Sequence, residues 1–228
     1  MSLDLTLPTA LILIDNQSGL LHPSRPARSN PNYETNLESL LRAFRAAIQR
    51  SSERSSKQNL EVIHIFHSST SPESLLHAYH PTNGIRPLDF AQPSTDGSET
   101  VMWKCVNSSF IGTDLEAHLR AHDIRQIIMA GLTAEHCVST TTRMAANLGV
   151  VDRYPQGPIR INPDNGVLND VPVDSGRIIL VEDATASFAK GEIDPEIIHA
   201  VSIASLEEEF AEVMKTADVI KALEGPIE

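Results

Sequence analysis

Four stretches of the chain are built around apolar residues: "ALILID" (10–15), "LEVIHIFHS" (60–68), "QIIMAG" (126–131) and "RIILVED" (177–183). Runs of this length, rich in Ile and Val, suit strands covered on both faces of a parallel sheet. Between them the apolar spacing turns helical. In "NYETNLESLLRAFRAAIQR" (32–50), Leu37, Leu40, Leu41, Phe44 and Ile48 share one face. "TDLEAHLRAHD" (113–123) opens on Thr113 as a cap, and "DPEIIHAVSIASLEEEF" (194–210) opens on an Asp–Pro pair suited to a cap and first turn. "FAEVMKT" (210–216) reads as a last strand followed by a short helix. Strands alternating with helices predict βαβ units, hence an α/β fold with a parallel sheet between helical layers.

Three segments fall outside this rhythm. "SSERSSKQ" (51–58) is polar and reads as a helix–strand connection. Residues 69–98 are rich in Pro, Ser and His without periodicity and read as a long loop. Residues 151–176 hold four prolines and three glycines where an α/β connection needs only a few residues. They read as an insertion in a single domain spanning 1–228.

Composition narrows the setting. At 228 residues, 41% hydrophobic and 21% charged, the chain can bury one large core. Two cysteines make no disulfide framework, which favours a reducing, cytoplasmic location. The N-terminus has no basic leader, and its apolar run is too short to span a bilayer. A net charge of −12 speaks against nucleic acid or an anionic membrane as partner. A small-molecule substrate is the expected partner.

Ligands of open parallel sheets bind beyond the carboxyl ends of the strands. Asp15 closes the first apolar run, and Cys137 follows "QIIMAG" at the start of a helix. Lys104 lies in "VMWKCVNSSF", another short candidate strand. Taken singly these would be a helix cap, a core thiol and a surface cation. Together they suit nucleophilic catalysis, with a thiolate, a cation that stabilises it and a carboxylate that moves protons. A helix N-terminus and a nearby lysine are both expected to lower the cysteine pKa.

The motifs "LILIDNQSG" (11–19), "WKCVNSSFIGTDLEAHLR" (103–120), "MAGLTAEHCVSTTTRMAANLG" (129–149) and "VEDATASF" (181–188) resemble those of the isochorismatase-like hydrolases. That superfamily includes nicotinamidases, N-carbamoylsarcosine amidase and ureidoacrylate amidohydrolase. The resemblance spans nearly the whole chain. It implies a three-layer α/β/α fold with a six-stranded, mostly parallel sheet and a catalytic triad of Asp15, Lys104 and Cys137. It also implies a cis peptide between Leu132 and Thr133, with the N–H groups of Thr133 and Cys137 forming an oxyanion hole. The implied activity is hydrolysis of a C–N bond in a small amide or ureido compound through a thioester, with no cofactor. The alternatives are hydrolysis of the vinyl ether of isochorismate and a non-catalytic interaction protein on the same scaffold.

Several side chains lie in or near these motifs. Gln17, Trp103, His136 and Phe188 are candidate substrate contacts. Cys105, next to Lys104 on a strand, should point away from the site and into the core. Nicotinamidases carry an Asp-x-His signature and further metal-ligating histidines. Here His64, His67, His77 and His80 are present without that Asp, so no metal is assigned. The insertion joins the far end of the Cys137 helix to the next strand, so it should lie away from the active site. Its Ile159, Ile161, Val167, Val171 and Val173 suit an arm that packs on a neighbouring subunit in a homo-oligomer.

Overall fold

The computed structural model describes residues 3–53 and 60–225. Its six strands are β1 (Thr9–Ile14), β2 (Leu60–His67), β3 (Thr100–Lys104), β4 (Gln126–Leu132), β5 (Arg177–Ala186) and β6 (Glu212–Met214). They form one sheet in the order β3-β2-β1-β4-β5-β6, and every pairing is parallel. Five α-helices accompany it: α1 (Tyr33–Glu53), α2 (Leu115–Ala121), α3 (Ser139–Leu148), α4 (Pro195–Ala204) and α5 (Thr216–Glu224).

The period-2 geometry of a strand builds the two helical layers. Leu11 and Leu13 of β1 pack with Leu37, Leu40, Leu41 and Phe44 of α1 and with Val219 and Leu223 of α5. Ala10, Ile12 and Ile14 face the other way, toward Leu115 and Leu119 of α2, Ala145 of α3 and Ile203 of α4. All six residues of β1 are buried. This is why the central strands read as unbroken apolar runs rather than alternating ones.

Most predicted elements appear within a few residues of their expected bounds. Asp194 caps α4 by accepting the Glu196 N–H at 2.8 Å, with Pro195 in the first turn. That helix stops at Ala204 rather than reaching 210. Beyond it the chain turns, and Glu208 adopts a left-handed φ of 68° among three consecutive glutamates. Thr113 Oγ1 accepts the Leu115 N–H at the start of α2. The polar 51–58 connection begins as the last turn of α1, and its residues from 54 onward lie outside the described residues. Residues 69–98 carry only a short 3-10 turn, Asp89–Ala91. They fold back over the loop after β1, where Ser18 N–H donates to Arg86 O and Gly19 N–H to Gly84 O.

The insertion is anchored at the end of the sheet remote from Cys137. Arg125, immediately before β4, forms a forked ion pair with Asp174 and donates to Val151 O. Arg153 pairs with Asp123, and Arg153 and Asp174 form an antiparallel bridge. A second bridge, Ile161 to Leu168, folds the outer part back on itself. Among the described residues no helix is long and apolar enough to cross a membrane.

Candidate active site

Three strand ends meet at the carboxyl edge of the sheet. β1 ends at Ile14, and Asp15 follows in a left-handed conformation, φ 53°, with its N–H held by Ile65 O at 2.8 Å. This sharp turn sets the carboxylate across the edge rather than along the strand. β3 ends on Lys104, whose side chain is completely buried. β4 runs through Gly131, φ 129°, where an added Cβ would lie 2.0 Å from Ile14 O. Only glycine allows β4 to come this close to the end of β1. The Leu132–Thr133 peptide is cis, as the resemblance implied. A turn of π-helix, Ala134–Val138, then leads into α3 and carries Cys137. Its wide turn is closed by Val138 N–H donating to Thr133 O at 3.2 Å.

The three predicted catalytic side chains are brought together around one ammonium. Lys104 Nζ donates to Asp15 Oδ2 at 2.7 Å and to Cys137 Sγ at 3.3 Å. It also lies 3.4 Å from His67 Nδ1. Three N–H donors thus meet three acceptors, which fixes the ammonium's orientation. Asp15, His67 and Cys137 offer ligand atoms within 4.8 Å of one another, a set that zinc accepts. The lysine ammonium already bonds to all three, and so acts as the cation of this cluster.

The electrostatics correct one expectation. The Cys137 thiol is not lowered by its place at the helix start but pushed up to about 12. Burial is the largest cause, and the Asp15 carboxylate beside it adds to the rise. Lys104 pulls the other way without prevailing. Burial also lifts the Asp15 carboxyl above its ordinary range, with Lys104 opposing. His67 is lowered by burial and then by Lys104, and stays a neutral acceptor. Cys137 therefore rests as the thiol, beside the Asp15 carboxyl and the Lys104 ammonium.

A cavity of about 250 Å³ opens over Cys137. Thr133, Cys137, His136 and Phe188 line it, as do Asp15 and His67. Arg25, Glu135 and Lys190 also line it and were not foreseen from the sequence. Lys190 Nζ lies 3.3 Å from Glu135 Oε1 and 2.9 Å from His136 Nε2. Against the cost of burial, hydrogen bonds, including that from Phe188 N–H, and the charge of Lys190 hold Glu135 below its usual range. The signal that a motif reading could have used is proximity in sequence to the nucleophile, since Glu135 and His136 precede it directly.

Three further expectations are corrected. Trp103 does not line the cavity. It precedes Lys104 on β3, so alternation turns it to the opposite face, where it is 45% exposed and leans on Phe66 with ring centroids 5.2 Å apart. Gln17 is buried and spends its amide on the protein: Nε2 donates to His67 O and Ile85 O, and Oε1 accepts the His67 N–H. It ties the end of β2 to the 69–98 loop instead of meeting a ligand. Cys105 is exposed rather than core, because β3 is the edge strand and ends at Lys104. Of the other histidines, His64 is buried against Glu99 at 2.8 Å, while His77 and His80 bond locally within the loop.

The parallel α/β sheet thus gathers Asp15, Lys104 and Cys137 at its carboxyl edge, where open sheets of this kind carry their ligand sites. Comparison with known proteins gives the class: the chain belongs to the isochorismatase family, whose isochorismatase domain matches residues 9–218. The isochorismatase family protein YrdC of Bacillus subtilis (strain 168) is 33% identical over 217 residues, covering 92% of this chain and 94% of YrdC. An isochorismatase-family structure from Chromobacterium violaceum ATCC 12472 superposes with a TM-score of 0.74 at 30% identity, covering 98% and 96% of the two chains. N-carbamoylsarcosine amidase from Thermoplasma acidophilum, at 21% identity, shares the fold with a TM-score of 0.59 over 92% of this chain and 97% of its own. The protein is thus an isochorismatase-family hydrolase.

Proposed function

We propose that the protein hydrolyses a C–N bond of a small amide or ureido compound through a thioester on Cys137. The observation that carries this reading is the shared contact of Lys104 Nζ with Asp15 Oδ2 and Cys137 Sγ at the floor of the cavity. A carboxylate alone would serve vinyl-ether protonation. A thiol held beside it under a cation adds what acyl transfer needs. That an amidase shares the fold supports the choice.

In this mechanism Asp15 takes the thiol proton as Sγ attacks the planar carbonyl carbon. Lys104 stabilises the thiolate as it forms. The backbone N–H groups of Thr133 and Cys137 receive the oxyanion, each such donor contributing about 3 kcal/mol. The carboxyl, lifted by burial, then returns its proton to the leaving amine, and the C–N bond breaks. Asp15 next takes a proton from water, which attacks the thioester and frees the acid and the thiol. The decisive experiment incubates wild type, Cys137→Ala and Asp15→Ala with amides, ureido acids and isochorismate, and reads intact mass after rapid quench. An acyl adduct mapped to Cys137 with an amide supports the reading. Undiminished turnover by Cys137→Ala would overturn it.

We place the protein in the cytoplasm, consistent with its two free thiols. As its assembly we propose a homo-oligomer in which the arm packs on a second copy. The support is an arm without a core of its own, with Ile161, Val167 and Leu168 at least 56% exposed.

A further inference from the structure

The charges lining the cavity do not balance. Asp15 is matched by Lys104 at 2.7 Å, and Glu135 by Lys190 at 3.3 Å. His67 is held neutral by burial and by Lys104. Arg25 is left over. Its Nε donates to Gly19 O at 3.0 Å, which fixes the plane of the guanidinium. Its two terminal amino groups have no protein acceptor, and no carboxylate pairs with it among the described residues. The side chain is half-buried, so its charge is partly stripped of water without a partner in return. Arg28, lining the adjoining depression, shows the contrast: it is paired with Glu34 at 2.7 Å.

Arg25 also sits on a stiff platform. Pro23 and Pro26 flank it, its N–H bonds to His22 O at 2.9 Å, and the His22 ring is tied to Ser24 Oγ at 2.8 Å. Leu20, Leu76 and Phe188 supply apolar walls beside it. A lone oriented fork in a cavity with apolar walls, on a chain of net charge −12, has the chemistry of a carboxylate receptor.

We propose that Arg25 is the carboxylate-binding residue of the active site, and that the substrate is a small acid carrying both a hydrolysable amide and a free carboxylate. The assignment rests on the amide-hydrolase reading for the reacting end of the molecule only. The carboxylate end follows from Arg25 itself. A cavity of about 250 Å³ limits the substrate to a compact molecule.

The test uses malonamate, succinamate and glutaramate, which separate amide from carboxylate by one to three methylenes, and their neutral methyl esters. Binding is measured by calorimetry in Cys137→Ala protein, so that no turnover intervenes, with Arg25 intact or changed to Gln or Lys. With Arg25 intact, at least one acid should bind about 10- to 100-fold more tightly than its ester, the range of a charge-assisted hydrogen-bonded pair. Arg25→Gln should abolish that preference while moving ester affinity by less than about 3-fold. Arg25→Lys keeps the charge but gives up the Gly19 bond, and should retain part of the preference. Equal affinity for acids and esters, or equal weakening of both by Arg25→Gln, would overturn the proposal. Acid binding through Arg25 without hydrolysis of any amide by the wild type would sink the amide reading and leave Arg25 standing. Hydrolysis indifferent to the carboxylate would do the reverse.

Discussion

Replacing Lys104 with methionine keeps much of the side chain's length while removing its charge, and leaves the buried Asp15 carboxylate alone. At 2.7 Å and an effective dielectric constant near 20, the lost attraction is about 6 kcal/mol. Part of that returns because the ammonium no longer has to be desolvated, which puts the net effect of breaking such a pair at about 3–5 kcal/mol. A second limit comes from protonation. Asp15 can escape its isolation by binding a proton, and holding one at pH 7 against an ordinary value of 3.8 costs about 4 kcal/mol. At pH 5 the same escape costs only about 1.5 kcal/mol. The sign follows from linkage. A carboxyl whose folded-state pKa lies above its unfolded value binds its proton more tightly when folded. It therefore favours folding most below the unfolded value and progressively less as pH rises, until the folded value is passed. Urea unfolding of wild type and Lys104→Met should give a stability gap of about 4 kcal/mol at pH 7, closing to about 1.5 kcal/mol at pH 5. In an Asp15→Asn background the Lys104→Met penalty should shrink below about 1 kcal/mol. A gap independent of pH, or one that survives in the Asn background, would refute the pairing.

Asp15→Asn removes the negative charge that lifts the Cys137 thiol, so this variant should lose at least about 100-fold in hydrolysis while Cys137 alkylates faster. Iodoacetamide labelling followed by peptide mapping, with exposed Cys105 as the internal reference, reads both thiols, and slower labelling of Cys137 would contradict the assignment. In wild type, with the thiol pushed up to about 12, labelling of Cys137 should rise about tenfold per pH unit from pH 7 to 9. Deleting 152–175 should reduce the mass seen by light scattering while the site, at the other end of the sheet, stays active; an unchanged mass would remove the arm from the interface. Trp103→Ala should leave the Michaelis constant within about 2-fold, since alternation turns its ring away from the cavity, and a large rise would return it to the substrate wall.

What could be read from the chain beforehand divides along physical lines. Buried parallel strands leave a local trace, because the central ones are apolar over most of their length, and so the sheet and its helical layers were legible. The Asp15, Lys104 and Cys137 cluster was legible because each residue sits at a strand end or helix start within a distinct motif. Trp103 and Cys105 lie elsewhere than their motif suggests, although both flank Lys104 and alternate with it. Alternation separates the two faces of a strand, but only the observed sheet order shows that β3 is at the edge, with solvent beyond. Gln17 looks like a ligand contact in its motif because its three partners, the His67 N–H and the carbonyls of His67 and Ile85, come from segments that meet only in the fold. Helix position, which alone would lower the thiol's pKa, is a local property. Burial and the neighbouring carboxylate, both products of tertiary structure, outweighed it. Arg25 had no motif to announce it, since what distinguishes it is the missing counter-charge.

The chain leaves the sheet region at Arg153 and returns at Asp174 as bridged neighbours, fastened by Arg125. Whatever lies between enters and exits through one narrow gate, whose latches belong to the scaffold. Such a gate is a grafting port. A reporter domain, an affinity peptide or a second enzyme whose termini lie close together could replace 155–172 without asking the sheet to move, and the reaction at the opposite edge would run on beneath its new cargo.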